Sequence, residues 1–251
     1  MQMRRALTCT AVAAVTALLP FIAAPGARAQ TFGGNELLAW SVSGAPSGGL
    51  TSLDFPITVN TGTAHVSGTY FAMQYGFTGQ SDIGYAGLQP RPDANGHQRL
   101  RGVFSSFISG TTSTDSHCSD GADGGPGVSC GVEFDAVYGH TFRVEIAQVG
   151  TDTWSGTVVD TNNGQRTPVG TYELPAGSGN LKASQSGFIE YYDVPSCDRQ
   201  QRYDVTFGAP SSGSLSGTTT WVKEYGDCLG DGDTQVTTVG AGVHVTRGTV
   251  G

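Results

Sequence analysis

Glu133-Phe134-Asp135-Ala136-Val137-Tyr138 puts two carboxylates two residues apart in an alternating stretch, so both belong to one face of a strand. Sandwich-type glycosidases use a Glu-x-Asp-x-x-Glu row in which one acid is the nucleophile and another, roughly 5 Å away, donates the proton. Tyr138 stands where the third acid would be, so Glu133 and Asp135 need a partner from another strand, such as Glu145 or Glu190. The plain alternative is an exposed strand face of an acidic protein. Gly127-Val128-Ser129-Cys130-Gly131 spells the G-x-S-x-G of a nucleophile elbow, but that device needs a strand before the serine and a helix after it. A loop-like stretch precedes it here and strand-like residues follow. His65, His97, His117, His140 and His244 are scattered without metal-ligand spacing.

Two further sets of residues have binding chemistry. Tyr85, Trp154 and Tyr191, with the polar neighbours Gln89 and Glu190, have the composition of a carbohydrate platform, in which rings stack on sugars and polar rims take the hydroxyls. The alternative for each ring is a place in the core. Asp120 and Asp123 lie in one glycine-rich acidic loop, and Asp227, Asp231 and Asp233 in another. Exported proteins use such loops to give Ca²⁺ several oxygen ligands, although neither follows EF-hand spacing and solvated Asp-Gly turns look the same in sequence. No other cofactor is expected.

The elements that must carry these groups are strands. Phe142, Val144 and Ile146 alternate with Arg143, Glu145 and Ala147, a period of two that separates an apolar face from a charged one. Asn163-Gly164 lies between residues 154–159 and 167–174, both β-prone, and marks a hairpin because both turn residues tolerate positive φ. Phe71, Met73, Tyr75 and Phe77 form an apolar row within 64–77, with Tyr70, Ala72 and Gln74 opposite. Further runs at 36–43, 53–59, 83–89, 100–108, 187–192, 203–207, 216–222 and 235–246 bring the expected count to about twelve strands. Pro56 marks 53–59 as an edge strand, and residues 110–127 read as an aperiodic loop. The fold class is all-β, an antiparallel β-sandwich or jelly roll.

Compartment follows from the ends and the cysteines. Arg4 and Arg5, the apolar run 11–24 and Ala27-Arg28-Ala29 have the three-part form of a signal peptide, cleaved before Gln30. Removing those 29 residues from 251 leaves 222, expected to form a single secreted domain, 30–251. The leader takes three of the 13 basic residues with it, so the formal net charge goes from −8 to −11. A surface that negative excludes nucleic acid and anionic lipid as natural partners, and no second apolar segment suggests a membrane span. Cys118, Cys130, Cys197 and Cys228 remain, an even number suited to disulfides; nearest-neighbour closure favours Cys118–Cys130 and Cys197–Cys228.

A family resemblance adds to this. Tyr70-Phe71-Ala72-Met73, Gly84-Tyr85-Ala86-Gly87-Leu88-Gln89, Val103-Phe104-Ser105, the acidic loop 120–127, Tyr138-Gly139-His140-Thr141-Phe142-Arg143, Thr153-Trp154-Ser155-Gly156 and Phe188-Ile189-Glu190 occur in that order. Over roughly residues 64–193 the chain resembles the secreted bacterial family called domain of unknown function 3472. The resemblance implies a concanavalin-like β-sandwich and brings no established activity. The sequence thus leads to three expectations. The first is a secreted, non-catalytic binding module for a polysaccharide or cell-wall glycan. The second is a glycan-active hydrolase or lyase using Glu133 and Asp135. The third is a structural subunit of a co-secreted protein assembly.

Overall fold

The computed structural model describes residues 33–192 and 196–248; the expected signal peptide lies outside the described residues. Among the described residues sixteen strands follow one another, rather than about twelve. They are β1 (Gly33–Val42), β2 (Ser52–Val59), β3 (Thr69–Gly76), β4 (Ile83–Ala94), β5 (His97–Ser106), β6 (Cys118–Ala122), β7 (Gly125–Ala136) and β8 (Thr141–Gly150). Then come β9 (Thr153–Asp160), β10 (Arg166–Glu173), β11 (Ser184–Tyr191), β12 (Tyr203–Phe207), β13 (Ser211–Ser212), β14 (Leu215–Glu224), β15 (Gln235–Val239) and β16 (Gly242–Arg247). The only helical piece among the described residues is a 3-10 turn, Cys197–Arg199.

All the strand pairs are antiparallel. One layer runs β6-β7-β5-β4-β3-β11-β1-β14, the other β15-β16-β12-β2-β8-β9-β10. The short β13 pairs with both β14 and β2 and joins the layers at a corner. Alternation puts Leu53, Phe55, Ile57 and Val59 of β2, and Phe142, Val144 and Ile146 of β8, into the space between the layers. Leu38, Trp40, Phe71, Met73, Tyr75, Leu88 and Phe104 enter it from the first layer. Rings meet across the gap: Trp40 on Phe55 at 5.0 Å, Phe77 on Trp154 at 5.0 Å, and Phe104 stacked on Tyr172 at 4.4 Å. Gly156 is required at this seam, because a β-carbon there would sit 2.5 Å from the Phe104 ring.

Three local expectations are corrected. β2 is not an edge strand: it pairs with β8 on one side and with β12 and β13 on the other. Pro56 is tolerated because it faces the break between β12 and β13, where its carbonyl accepts from Gly208 N–H at 2.8 Å and no donor is needed. Within the stretch 110–127 expected to be a loop, residues 118–122 and 125–127 are strand and belong to the β6–β7 hairpin, turning on Asp123 (φ 47°) and Gly124 (φ 77°). The Asp-Gly pair carries that turn, and the disulfide fixes its base. The two extra strands of the last third, β13 and the separation of β15 from β16, come from a two-residue pairing and from a turn at Gly240 (φ 59°).

Both disulfides pair as expected. Cys118–Cys130 staples directly opposed residues of β6 and β7, and Cys197–Cys228 ties the 3-10 turn to the loop after β14.

Candidate functional site

The first layer has a second face, turned away from the core. There the register aligns Tyr70 and Ala72 of β3 with Glu190 and Phe188 of β11, and Gln74 with Tyr85 of β4. Val103 of β5 joins them, and Tyr70, Ala72, Val103 and Phe188 form a small apolar cluster of their own. Phe188 is the hub. Tyr85 meets its ring edge-on at 4.9 Å and Tyr70 at 5.8 Å. This cluster explains why β3 is covered on both faces, a feature already visible in its mixed even positions.

Beside the cluster lies a pocket of about 310 Å³. Leu37, Tyr85, Phe188 and Tyr225 line its walls; Gln74, Asp123 and Glu190 supply its polar groups. Glu190 is half-buried, and loss of water raises its carboxyl above the ordinary value of 4.5, with the Asp123 charge pushing the same way. Tyr85 is raised by the same causes, burial first and then Asp123 and Glu190, while a Gln74 hydrogen bond opposes the shift. Tyr70 is wholly buried and its hydroxyl has no hydrogen-bond partner. Burial drives its pKa well up, and Asp123 and Glu190 reinforce the effect, so this neutral O–H sits in the field of both acids.

Gln89 continues the same face along β4. Arg91 Nη2 donates to its Oε1 at 2.6 Å, which leaves the amide nitrogen as its uncommitted end. By register Gln89 and Glu190 flank Tyr70 from opposite sides, so their backbones are roughly 10 Å apart at about 4.8 Å per strand. Arg91 also donates to Tyr192 Oη at 3.2 Å and to Glu133 at 3.1 Å.

The structure therefore brings together Tyr85, Glu190 and Asp123, with Gln89 further along the same face. It separates the rest of the expected site. Trp154 is fully buried in the core, because it occupies an inward position of β9, and no sugar can stack on it. Tyr191 faces the opposite way from Glu190 and is buried, its hydroxyl donating to the Arg199 carbonyl at 3.1 Å. Glu133 and Asp135 share a face of β7, but Arg91 and Arg99 hold Glu133, and Arg99 reaches Asp135 at 2.8 Å. Glu145 belongs to the other layer. Burial would raise its carboxyl, but the Arg166 and Arg143 guanidiniums outweigh this and lower it.

Among the described residues, no group of three or more His, Cys, Asp or Glu is placed to hold a metal ion. Asp120 is exposed on β6, and Asp123 turns to the pocket. The Asp231 carbonyl is taken by Arg247, and the Asp233 carboxylate by Gln235 at 2.8 Å; Asp227 is exposed.

Sequence reasoning missed Gln74, Phe188, Leu37, Tyr225 and Tyr70 as site residues. The signal for Phe188 and Tyr70 was present, since aromatics on both faces of a strand need cover on both. Nothing local points to Tyr225, which reaches the pocket from beyond the end of β14.

No family model matches the chain, and no curated protein matches it. Solved structures do share its architecture. Scytalido-glutamic peptidase with a peptide-based transition-state analogue aligns over 86% of this chain and 100% of its own, at 14% identity and TM-score 0.50. The same peptidase with a transition-state-analogue inhibitor gives 13% identity and TM-score 0.48 over the same shares. SCP-B, an eqolisin-family peptidase in complex with the tripeptide Ala-Ile-His, covers 88% of this chain and 100% of its own at 13% identity and TM-score 0.45. At such identity the likeness is one of fold, and only the 0.50 match bears on it. The expectation of a non-catalytic glycan-binding module is corrected here: the solved structure that shares this architecture is a peptidase, not a glycan-binding module. Burial of Trp154 and Tyr191 removes the aromatic strip on which that expectation stood.

Proposed function

We propose that this chain is an exported peptide-bond hydrolase working on the acid side of neutrality, with Glu190 as its general acid–base group. The observation that carries the reading is the half-buried Glu190 in an aromatic pocket on the open sheet face, its carboxyl raised by desolvation and by Asp123. A carboxyl raised in this way exchanges protons at a pH nearer its working range, which is what a single acid–base group needs. The fold likeness to a solved glutamic peptidase is consistent with a glutamate in that role. The leader sequence and two disulfides support export.

The chemistry runs as follows. Glu190 as carboxylate takes a proton from a water molecule, and that water attacks the scissile carbonyl carbon. Negative charge then gathers on the carbonyl oxygen. The Gln89 amide nitrogen, its oxygen held by Arg91, is a neutral donor on this face suited to stabilising that charge. Glu190, now protonated, gives the proton to the amine as the C–N bond breaks.

The test uses the mature protein on a denatured protein substrate between about pH 3 and pH 7, with new termini read by mass spectrometry, alongside Glu190→Gln. The glutamine variant should lose about 10²- to 10⁴-fold in rate, the usual worth of a general acid–base group. Wild-type rates in that variant, or no cleavage by the native protein at any pH, would refute the proposal.

A further inference from the structure

Resting on the hydrolase reading, we propose that Arg101 recognises a carboxylate of the bound peptide, a few residues away from the scissile bond.

The register sets Arg101 in line with the reacting groups. Glu190 of β11 pairs with Tyr70 of β3, and Arg101 of β5 pairs with Gln89 of β4 on one side and with Glu133 of β7 on the other. The β3–β4 register places Gln89 beside Tyr70, so Glu190, Tyr70, Gln89 and Arg101 form one row across four adjacent strands on the open face. At about 4.8 Å per strand, the Arg101 backbone lies roughly 14 Å from that of Glu190 and about 10 Å from that of Tyr70. A peptide with its scissile bond between Glu190 and Gln89 can continue along the row in extended form. At about 3.3 Å per residue, it brings a residue about three positions from that bond to Arg101.

The guanidinium is not committed to any group of the protein. Arg101 is half-buried, and among the described residues no carboxylate pairs with it and no acceptor takes its N–H groups. Every other described arginine except the exposed Arg199 is ion-paired. Arg91 and Arg99 hold Glu133 and Asp135 on the same face, while Arg143, Arg166, Arg202 and Arg247 serve Glu145, Asp204 and Glu36. Glu133 lies directly opposite Arg101, yet the Arg101 head rests on Gly131, where a β-carbon would come 2.6 Å from Nη2 and 2.7 Å from Nε. That bare glycine is a cradle that positions the head without neutralising its charge. The charge reaches Tyr70 in the middle of the row; Asp123 acts on the same residue from the β6–β7 turn but forms no ion pair with Arg101.

An arginine in this state suits a carboxylate. Its planar fork meets both carboxylate oxygens with parallel N–H donors, and such charge-assisted pairs are stronger than neutral ones. Arginine stays charged through the acid range, whereas a peptide carboxylate ionises only above about pH 4. Recognition therefore fades below that value although Arg101 itself does not change. Two groups of a peptide carry this chemistry: an aspartate or glutamate side chain, and a free C-terminus at that distance beyond the cut.

The experiment compares matched peptides carrying glutamate or glutamine at each position in turn, each made with a free and with an amidated C-terminus. Cleavage is followed with wild type and Arg101→Gln. Binding of the same peptides to Glu190→Gln and to Glu190→Gln/Arg101→Gln is measured by calorimetry. The expected result is that one carboxylate raises kcat/KM by about 10- to 100-fold over its amide, the worth of one charged hydrogen bond, and that Arg101→Gln brings the ratio near unity. A side-chain effect at one position assigns the site to an internal acidic residue, and an effect of the terminus alone assigns it to the C-terminal carboxylate. In wild type the ratio should also shrink as pH falls below about 4. Cleavage without a carboxylate preference, with one that Arg101→Gln leaves intact, or with one that persists undiminished in stronger acid, overturns the recognition role and leaves Glu190's role standing. Carboxylate-selective binding with no cleavage by wild type supports the recognition role and overturns the hydrolase reading. Neither binding nor cleavage overturns both.

Discussion

Arg247→Met is the substitution whose cost the structure specifies most fully. Arg247 ends β16 and is 1% exposed, yet it is charged. Its guanidinium donates to the carbonyls of Cys228 at 2.5 Å and Asp231 at 3.1 Å, and lies 3.4 Å from Glu36 and 3.7 Å from Glu224. Glu36 is fully buried on β1 and accepts from Trp221 at 2.7 Å, Tyr203 at 3.1 Å and Thr234 at 3.1 Å. Gly232 packs so closely on the guanidinium that a β-carbon would come within 2.8 Å of Nε. This clamp ties four strands to the loop that begins at the pocket residue Tyr225. Methionine fills similar space but supplies neither charge nor donors. Two carbonyls lose their partner, and the Glu36 carboxylate stays buried without its cation.

Breaking such a buried pair from one side costs about 3–5 kcal/mol. At about 2–4 °C per kcal/mol for a domain of this size, the melting temperature should fall by roughly 6–20 °C at pH 7. The loss should shrink in acid. Burial already raises the Glu36 carboxyl, and removing the cation raises it further, so the carboxyl regains neutrality as pH falls through that raised value. Thermal melts of both proteins at several pH values give the result, with Arg247→Met/Glu36→Gln as the control that removes both charges. A loss below about 1 kcal/mol, or one that grows toward low pH, would refute the assignment of the clamp.

Two further outcomes are expected. Glu36, Asp54 and Glu190 all have raised carboxyls, chiefly from burial, so each takes up a proton on folding and adds stability as pH falls toward ordinary carboxylate values. Glu145 is lowered by its arginines, so its contribution is present above the ordinary 4.5 and is lost as pH falls through the folded value. Melts across the pH range should therefore peak on the acid side of neutrality; a melting temperature that climbs steadily to pH 8 would contradict this. Trp154→Ala should cost about 3–5 kcal/mol through the cavity it leaves. It should leave peptide binding unchanged at a temperature where the variant is folded, and a selective loss of binding would place the indole in the site instead.

The local rules that made strands legible in the sequence hold where alternation or an Asn-Gly turn is present. Period-two alternation in residues 142–147 marked the core face of β8, and Asn163-Gly164 marked the β9–β10 turn, because both signals depend on backbone geometry over a few residues. The disulfide pairs followed from proximity in sequence for the same reason. Asp123-Gly124 was equally readable as a turn, but the glycine-rich stretch around it shows no alternation, so only pairing with β7 reveals the hairpin. What a ring does was beyond the sequence. Trp154 and Tyr85 have the same aromatic character, yet one is sealed between the layers and the other lines a pocket, because facing is set by register against strands far away. The candidate site is likewise a tertiary product. Leu37, Tyr85, Asp123, Glu190 and Tyr225 come from five separate stretches of chain, and Glu190 gains its raised carboxyl from burial and a neighbour that lies 67 residues away along the chain.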